Sequence, residues 1–293
     1  MSSRTGKQYR INYKNKTPTT PVWEGFGVVR RPRTSIETTS LKEPGTGTRQ
    51  LTILKQSHST PRIGIDYDFQ TGKFISGYVL TRPPQSIPLS GTDYAYYDGC
   101  SGWRLHGDTG HPPLVNTCRV SCRVDESVKV SVDVIGKHWL DGFSGTASNM
   151  PVTESGVRGK ACWADTKILL GCVSGVSSEV ANWTEWEFNI NNNVATQQLG
   201  RDVYPSEVYD QQVEYNGRFR RSIRCGQPEK FSLISGGVIA SRLMFVISGA
   251  DGQCWRYCFS GVLYTVSRTE VSDLDIAYET IEWEAPYCSG WAR

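Results

Sequence analysis

The chain has 293 residues, with 32 Lys and Arg against 29 Asp and Glu, a net charge of +3. Its 9 Phe, 9 Trp and 14 Tyr supply enough apolar surface for a packed core, which excludes a wholly disordered polypeptide. The longest unbroken apolar run, Leu243–Ile247, falls far short of the ~20 residues of a membrane-spanning helix. The opening residues carry no apolar segment of the signal-peptide kind, so the expectation is a soluble protein, without a membrane segment, folded in a cytoplasm.

Residues 1–50 hold ten basic and three acidic side chains and read as a basic arm with the first strands. Such a segment suits nucleic acid or an acidic partner surface, although Trp23, Phe26, Val28 and Val29 need somewhere to pack. A long polar connection, Lys42–Pro61, follows. Alternation of period two then begins: Ile63, Ile65, Tyr67 and Phe69 interleave with Arg62, Gly64, Asp66 and Asp68. Cys118, Val120, Cys122 and Val124 lead through Asp125-Glu126-Ser127 into Val128, Val130, Val132 and Val134, which predicts a hairpin. Residues 139–181 read as linker and loops. Beyond them, Trp186, Phe188 and Ile190 alternate with Glu185, Glu187, Asn189 and Asn191, and a second long polar connection runs from Ala195 to Gln212.

The charged strand that follows sets Phe219 among Arg218, Arg220 and Arg224. Leu243, Phe245 and Ile247 pass through Gly249-Ala-Asp251-Gly252 into Trp255, Tyr257 and Phe259, a second hairpin. The strand 276–285 places Ala277, Ile281 and Trp283 on one face and Glu282 and Glu284 on the other. No long window repeats at 3.6 residues, and the best helix candidate is a short turn near Pro228–Leu233. Half-wet antiparallel sheets account for the alternation, so the class is all-β. The order strand, acidic break, alternating strand occurs at Val115–Gly136 and again at Leu263–Ala285, about half the chain later. Two similar β-sandwiches, 51–138 and 182–293, are therefore expected.

No local motif marks catalysis: the sequence has no GxSxG elbow, phosphate-cradling loop, HExxH or calcium loop. Cys118-x3-Cys122 and Cys254-x3-Cys258 fall in strand-like sequence, where such residues sit ~13 Å apart. Two ligands of one zinc must each lie ~2.0–2.3 Å from it, so these cysteines read as buried free thiols. His106 and His111 flank Asp108 in a Gly-rich segment that reads equally as a polar loop. The expectation is no enzyme and no cofactor.

The second half carries a resemblance. Its Trp-rich strand runs into the Asn-rich end Asn182–Val194, then a long loop, then the charged strand Val213–Cys225. Next come the hairpin Leu243–Leu263 with its Phe-x-Gly-x-Val sequence at Phe259, an acidic bend Glu270–Asp275 and the closing strand. That order, over residues 182–285, resembles the major tail tube proteins of long-tailed bacteriophages and archaeal viruses. The family often has a helix before the hairpin, for which only Gln227–Gly237 is available here. The resemblance implies rings stacked into a tail tube, a passive conduit for the genome in the virion, assembled in the host cytoplasm. A duplicated chain implies a trimeric pseudo-hexameric ring and a single sandwich a hexamer, with strands contributed to an inter-subunit β-barrel. Tape-measure, tail-tip and terminator proteins are the implied partners, with transient passage of DNA.

The expected interface residues are Lys42, Arg49, Gln198, Arg201, Tyr204, Arg218, Arg220, Glu282 and Glu284. The arm and the loops Lys42–Pro61 and Ala195–Gln212 are expected between rings. Strand 184–192 is expected to pair antiparallel with 214–224, acid against base, its arginines meeting Glu282 and Glu284 of a neighbouring subunit or kept from holding DNA. Two other readings stand beside this one. One is a small icosahedral capsid protein whose basic arm holds the genome. The other is a carbohydrate- or receptor-binding module using Tyr94-Ala-Tyr-Tyr-Asp98 and Trp103.

Overall fold

The computed structural model describes residues 10–16, 21–26, 29–44, 51–80, 94–97, 102–106, 113–141, 159–172, 177–199, 202–223, 241–271 and 277–292. The described residues are nearly all β and antiparallel. The strands are β1 (Arg10–Lys16), β2 (Pro21–Gly25), β3 (Val29–Pro44), β4 (Leu51–Asp68), β5 (Tyr94–Tyr97), β6 (Gly102–His106), β7 (Leu114–Arg123), β8 (Lys129–Ile135) and β9 (His138–Asp141). They continue as β10 (Thr166–Cys172), β11 (Ser177–Glu179), β12 (Trp183–Asn191), β13 (Ala195–Gln197), β14 (Glu207–Tyr209), β15 (Glu214–Ile223) and β16 (Ser241–Ser248). The last four are β17 (Cys254–Ser260), β18 (Leu263–Val271), β19 (Ala277–Ala285) and β20 (Tyr287–Ala292).

The two halves share one topology. In the first, β2-β1-β5-β6-β9 form a five-stranded sheet; in the second, β11-β10-β16-β17-β20 form another in the same chain order. The remaining strands make a single eight-stranded sheet, β18-β19-β15-β12-β7-β8-β4-β3, to which each half gives four. The duplication extends to details. β7 shifts register on β8 between Val115 and Thr117, and β18 shifts on β19 between Tyr264 and Val266. β3 shifts on β4 between Val29 and Arg31, and β12 shifts on β15 between Trp183 and Glu185. Two similar sandwiches were expected; β7 and β12 join the halves through one antiparallel ladder, Glu185 opposite Arg123 to Asn191 opposite Thr117.

Alternation explains why these sequences make this sandwich. One face of the large sheet sends Val120, Val130, Trp186, Phe188, Phe219 and Trp283 inward, all buried. The aromatics of β12 meet those of the second five-stranded sheet: Phe188 lies 5.2 Å from Phe245, 5.3 Å from Tyr257 and 5.4 Å from Phe259. In the first half Phe26 packs on Tyr67 at 5.3 Å and on Phe74 at 4.7 Å. Burying a side chain of this size contributes roughly 1.5–3 kcal/mol, so the two aromatic clusters dominate the fold's stability.

Within the segment read as a basic arm with the first strands, Arg10–Lys16, Pro21–Gly25 and Val29–Pro44 are strands: β1 pairs with β2 and β5, and Ile11 and Phe26 are buried. Residues 1–9 lie outside the described residues. Three expectations about connecting segments are corrected. The connection Lys42–Pro61 is the end of a long β3–β4 hairpin, paired as far as Pro44 opposite Leu51. The linker 139–181 contains the end of β9 and all of β10 and β11, which belong to the two five-stranded sheets. Ala195–Gln212 is not a bare loop, because β13 and β14 pair within it. The helix candidate 227–237 lies outside the described residues. A π-helical turn at Ile75–Val79 and a 3-10 turn at Trp163–Asp165 are the helical elements among the described residues.

Candidate assembly surfaces: two sheet edges and a groove

The described side chains on the outer face of the eight-stranded sheet are mostly polar, and many of its charges are paired within the chain. As expected, β12 sets Glu185 opposite Arg220 and Glu187 opposite Arg218. The ion pairs differ from those the strand order alone suggests. Arg218 Nε meets Glu187 Oε1 at 3.2 Å, and Arg119 Nη2 also pairs with Glu187. Glu185 is held by Arg123 of β7 at 2.9 Å. Arg220 reaches Glu270 of β18 at 2.9 Å and lies over the Tyr278 ring at 4.4 Å. Glu282 stands opposite Arg218 on β19 of the same chain. Arg224 lies outside the described residues.

Among the described residues this sheet ends in two edges without a further partner strand, β3 and β18. On β3, Arg33 to Glu37 are exposed, including Ile36 at 49%. On β18, Arg268, Thr269 and Glu270 are exposed. An edge presents unpaired backbone N–H and C=O groups and is a template for another strand.

The β7–β12 junction is clamped at the bulge in β7. Asn192 N–H donates to the Asn116 carbonyl at 2.8 Å, Val194 N–H to Asn116 Oδ1 at 3.1 Å, and Asn192 Nδ2 to the Val115 carbonyl at 2.8 Å. These bonds steer the chain leaving β12 over the first half. There the β13–β14 hairpin docks by its tip: Ser59 N–H donates to the Val203 carbonyl at 2.8 Å, and the Tyr204 ring meets His138 edge-on at 5.7 Å. Gln198 Nε2 donates to that same carbonyl at 3.2 Å and Leu199 N–H to Ser206 Oγ at 2.9 Å, which hold the tip together.

At the corresponding place in the second half lies an open groove of about 1060 Å³, lined by Gln212 to Asn216, Leu263 and Glu284 to Cys288. Of the expected interface residues, Glu284 is in this groove, Arg218, Arg220 and Glu282 share the polar face, and Gln198 and Tyr204 share the docked hairpin. Lys42 is in β3, where its side chain is outside the described residues, as are Arg49 and Arg201 altogether. The sequence did not single out Ser59, His138, Asn116 or Tyr287. Their signal was their place in the repeat rather than their chemistry.

Of the platform expected for a carbohydrate site, Tyr94 is 1% exposed and Tyr96 stacks on a half-buried Trp103 at 5.6 Å, while the Tyr97 side chain and Asp98 lie outside the described residues. His106 Nδ1 lies 3.3 Å from Arg104 Nη2, while Asp108 and His111 lie outside the described residues. Among the described residues no cluster of three His, Cys, Asp or Glu could hold a metal. Cys118 and Cys122 are free thiols whose pKa values burial pushes up to about 12. No family model matches the chain, and no curated protein matches it.

Proposed function

We infer that the protein is a virion structural protein whose copies join edge to edge into rings that stack as a viral tail tube. The observation that carries this reading is the β7–β12 junction. It joins two different edges of one repeated unit, so the duplicated chain offers the same two edges again, as β18 and β3. A second copy meeting the first through them repeats the junction between chains. Carried across by the matching bulges, the register opposes Val266 to Glu37, Arg268 to Ser35 and Glu270 to Arg33 of the next copy. The last pair is of opposite charge. Thr265, with a hydroxyl, takes the bulge position that Asn116 holds inside the chain.

Contacts of this head-to-tail kind close into a ring or run on as an open helix. Closure leaves the eight-stranded sheet no exposed edge, which answers the aggregation hazard of its two long edges. Three duplicated copies make a pseudo-six-fold ring, as the tail tube resemblance implies. The five-stranded sheets cover the apolar face of the large sheet, so its polar face lines the channel. Arg119, Arg123, Arg218 and Arg220 there are engaged by carboxylates, which limits their salt-dependent grip on passing phosphate. The reading calls for no catalytic residue or cofactor. Tape-measure and tail-tip proteins are its partners, the virion tail its place, and the host cytoplasm the site of assembly. The capsid reading is weakened because Arg10–Lys16, Pro21–Gly25 and Val29–Pro44 of its genome-binding arm are strands.

Negative-stain microscopy and light scattering of the full chain, over a range of protein and salt concentrations, test the reading. Hollow rings or tubes are expected. Closed shells would favour the capsid alternative, and a monomer under every condition would overturn the proposal.

A further inference from the structure

We propose that the groove of the second half receives the end of the β3–β4 hairpin of a neighbouring copy. The proposal rests on the ring reading and adds a second contact to it. Its warrant is a contact the chain already makes with itself: the β13–β14 hairpin of the second half fills the same site on the first half, through Ser59 and His138.

The two hairpins correspond residue for residue. Ala195 opposite Tyr209, Thr196 opposite Val208 and Gln197 opposite Glu207 match Leu41 opposite Lys55, Lys42 opposite Leu54 and Glu43 opposite Ile53. The β3–β4 hairpin is thus as long as the one that docks and has the same register. A copy joined through its β3 to β18 carries this hairpin to the second groove, just as β12, joined to β7, carries β13–β14 to the first.

The groove side also corresponds. Val213 takes the place of Ser59, Tyr287 that of His138 and Leu263 that of Leu114. His138 and Leu114 are half-buried, whereas Tyr287 is 72% and Leu263 45% exposed. Large apolar side chains left this open mark a surface that another chain covers. The chemistry is complementary as well. Counted along the hairpin, Arg49 takes the place of Val203 and Gln50 that of Tyr204. In this comparison of positions the aromatic residue, Tyr204 on the docked hairpin, has its counterpart in Tyr287 of the groove, and the sequence position matching Tyr204 is Gln50. Glu214 and Glu284, both exposed in the groove, face a hairpin whose sequence carries Lys42, Arg49 and Lys55. Residues 45–50 themselves lie outside the described residues.

Two thiol pairs, placed in the full chain and treated with a short bifunctional thiol reagent, separate this proposal from the ring. Ser35→Cys with Arg268→Cys reports the sheet edge, and Gln50→Cys with Tyr287→Cys reports the groove. The expected result is inter-chain cross-linking by both. Cross-linking at the edge alone would overturn the docking and leave the ring standing; cross-linking by neither would overturn both. A Val213→Pro variant removes the N–H that stands for the Ser59 donor. It should raise the protein concentration needed for assembly about tenfold, the worth of one hydrogen bond, while the circular dichroism of the dilute protein stays unchanged. An unaltered assembly threshold would count against the proposal.

Discussion

Arg221 and Glu279 face each other in the interior of the second half, 8% and 0% exposed, with Nε and Nη2 both donating to one carboxylate oxygen at 3.0 and 2.8 Å. Two desolvated charges in a β core depend on each other, and removing one partner of such a pair costs ~3–5 kcal/mol. Glu279→Ala should therefore destabilise strongly in a urea titration. The first half holds Tyr67 and Val130 at the same places, opposite one another and buried. The double change Arg221→Tyr with Glu279→Val imports a packing this fold already uses, and it should recover most of the single variant's loss. Recovery of none of it would mean the two halves do not pack alike. Cys118 gives a second test. The thiolate is the reactive form, and burial pushes this pKa up to about 12, so the neutral thiol persists to high pH. A thiol reagent at pH 8 should leave Cys118 unlabelled in the folded protein and label it in denaturant.

At the scale of elements, the polar face changes what a charge reversal reports. Arg218 stands between Glu187 and Glu282 of its own chain. Arg218→Glu therefore sets three carboxylates side by side on adjacent strands. Like charges placed opposite each other cost up to ~1 kcal/mol a pair, and each such kilocalorie lowers the melting temperature by ~2–4 °C in a domain of this size. The dilute protein should lose thermal stability, and Glu187→Gln in the same chain should restore part of it. An unchanged melting temperature would mean these charges do not interact. The strands of this sheet were legible because one face is wet and the other dry, as in Val128–Val134 and Trp186–Ile190. The outer end of the β3–β4 hairpin was not: Ser40, Lys42, Glu43 and Lys55 are polar, so the sequence there offers no apolar–polar alternation to read. The turn at Ile75–Val79 is too short for a helical period to stand out. β20, Tyr-Cys-Ser-Gly-Trp-Ala, mixes half-buried and exposed positions without a clean period.

At the scale of the molecule, the sequence showed a repeat at Val115–Gly136 and Leu263–Ala285 but not the pairing of β7 with β12. Antiparallel ladders are made by backbone groups that every residue carries, so the choice of partner strand leaves little trace in composition. The expected interface followed charge, and much of that charge is matched inside the chain. The surfaces that remain open, β3, β18 and the groove at Tyr287, became visible only when the two halves were compared. The central claim is that copies meet through β18 and β3 in the register of the internal junction. The most direct measurement is cross-linking of the Ser35→Cys, Arg268→Cys variant beside Ser35→Cys with Thr269→Cys, whose thiol points to the opposite face of the sheet. The account predicts inter-chain products ending at a closed trimer for the first pair and little for the second. A variant that stays monomeric, or equal cross-linking from both pairs, would contradict it.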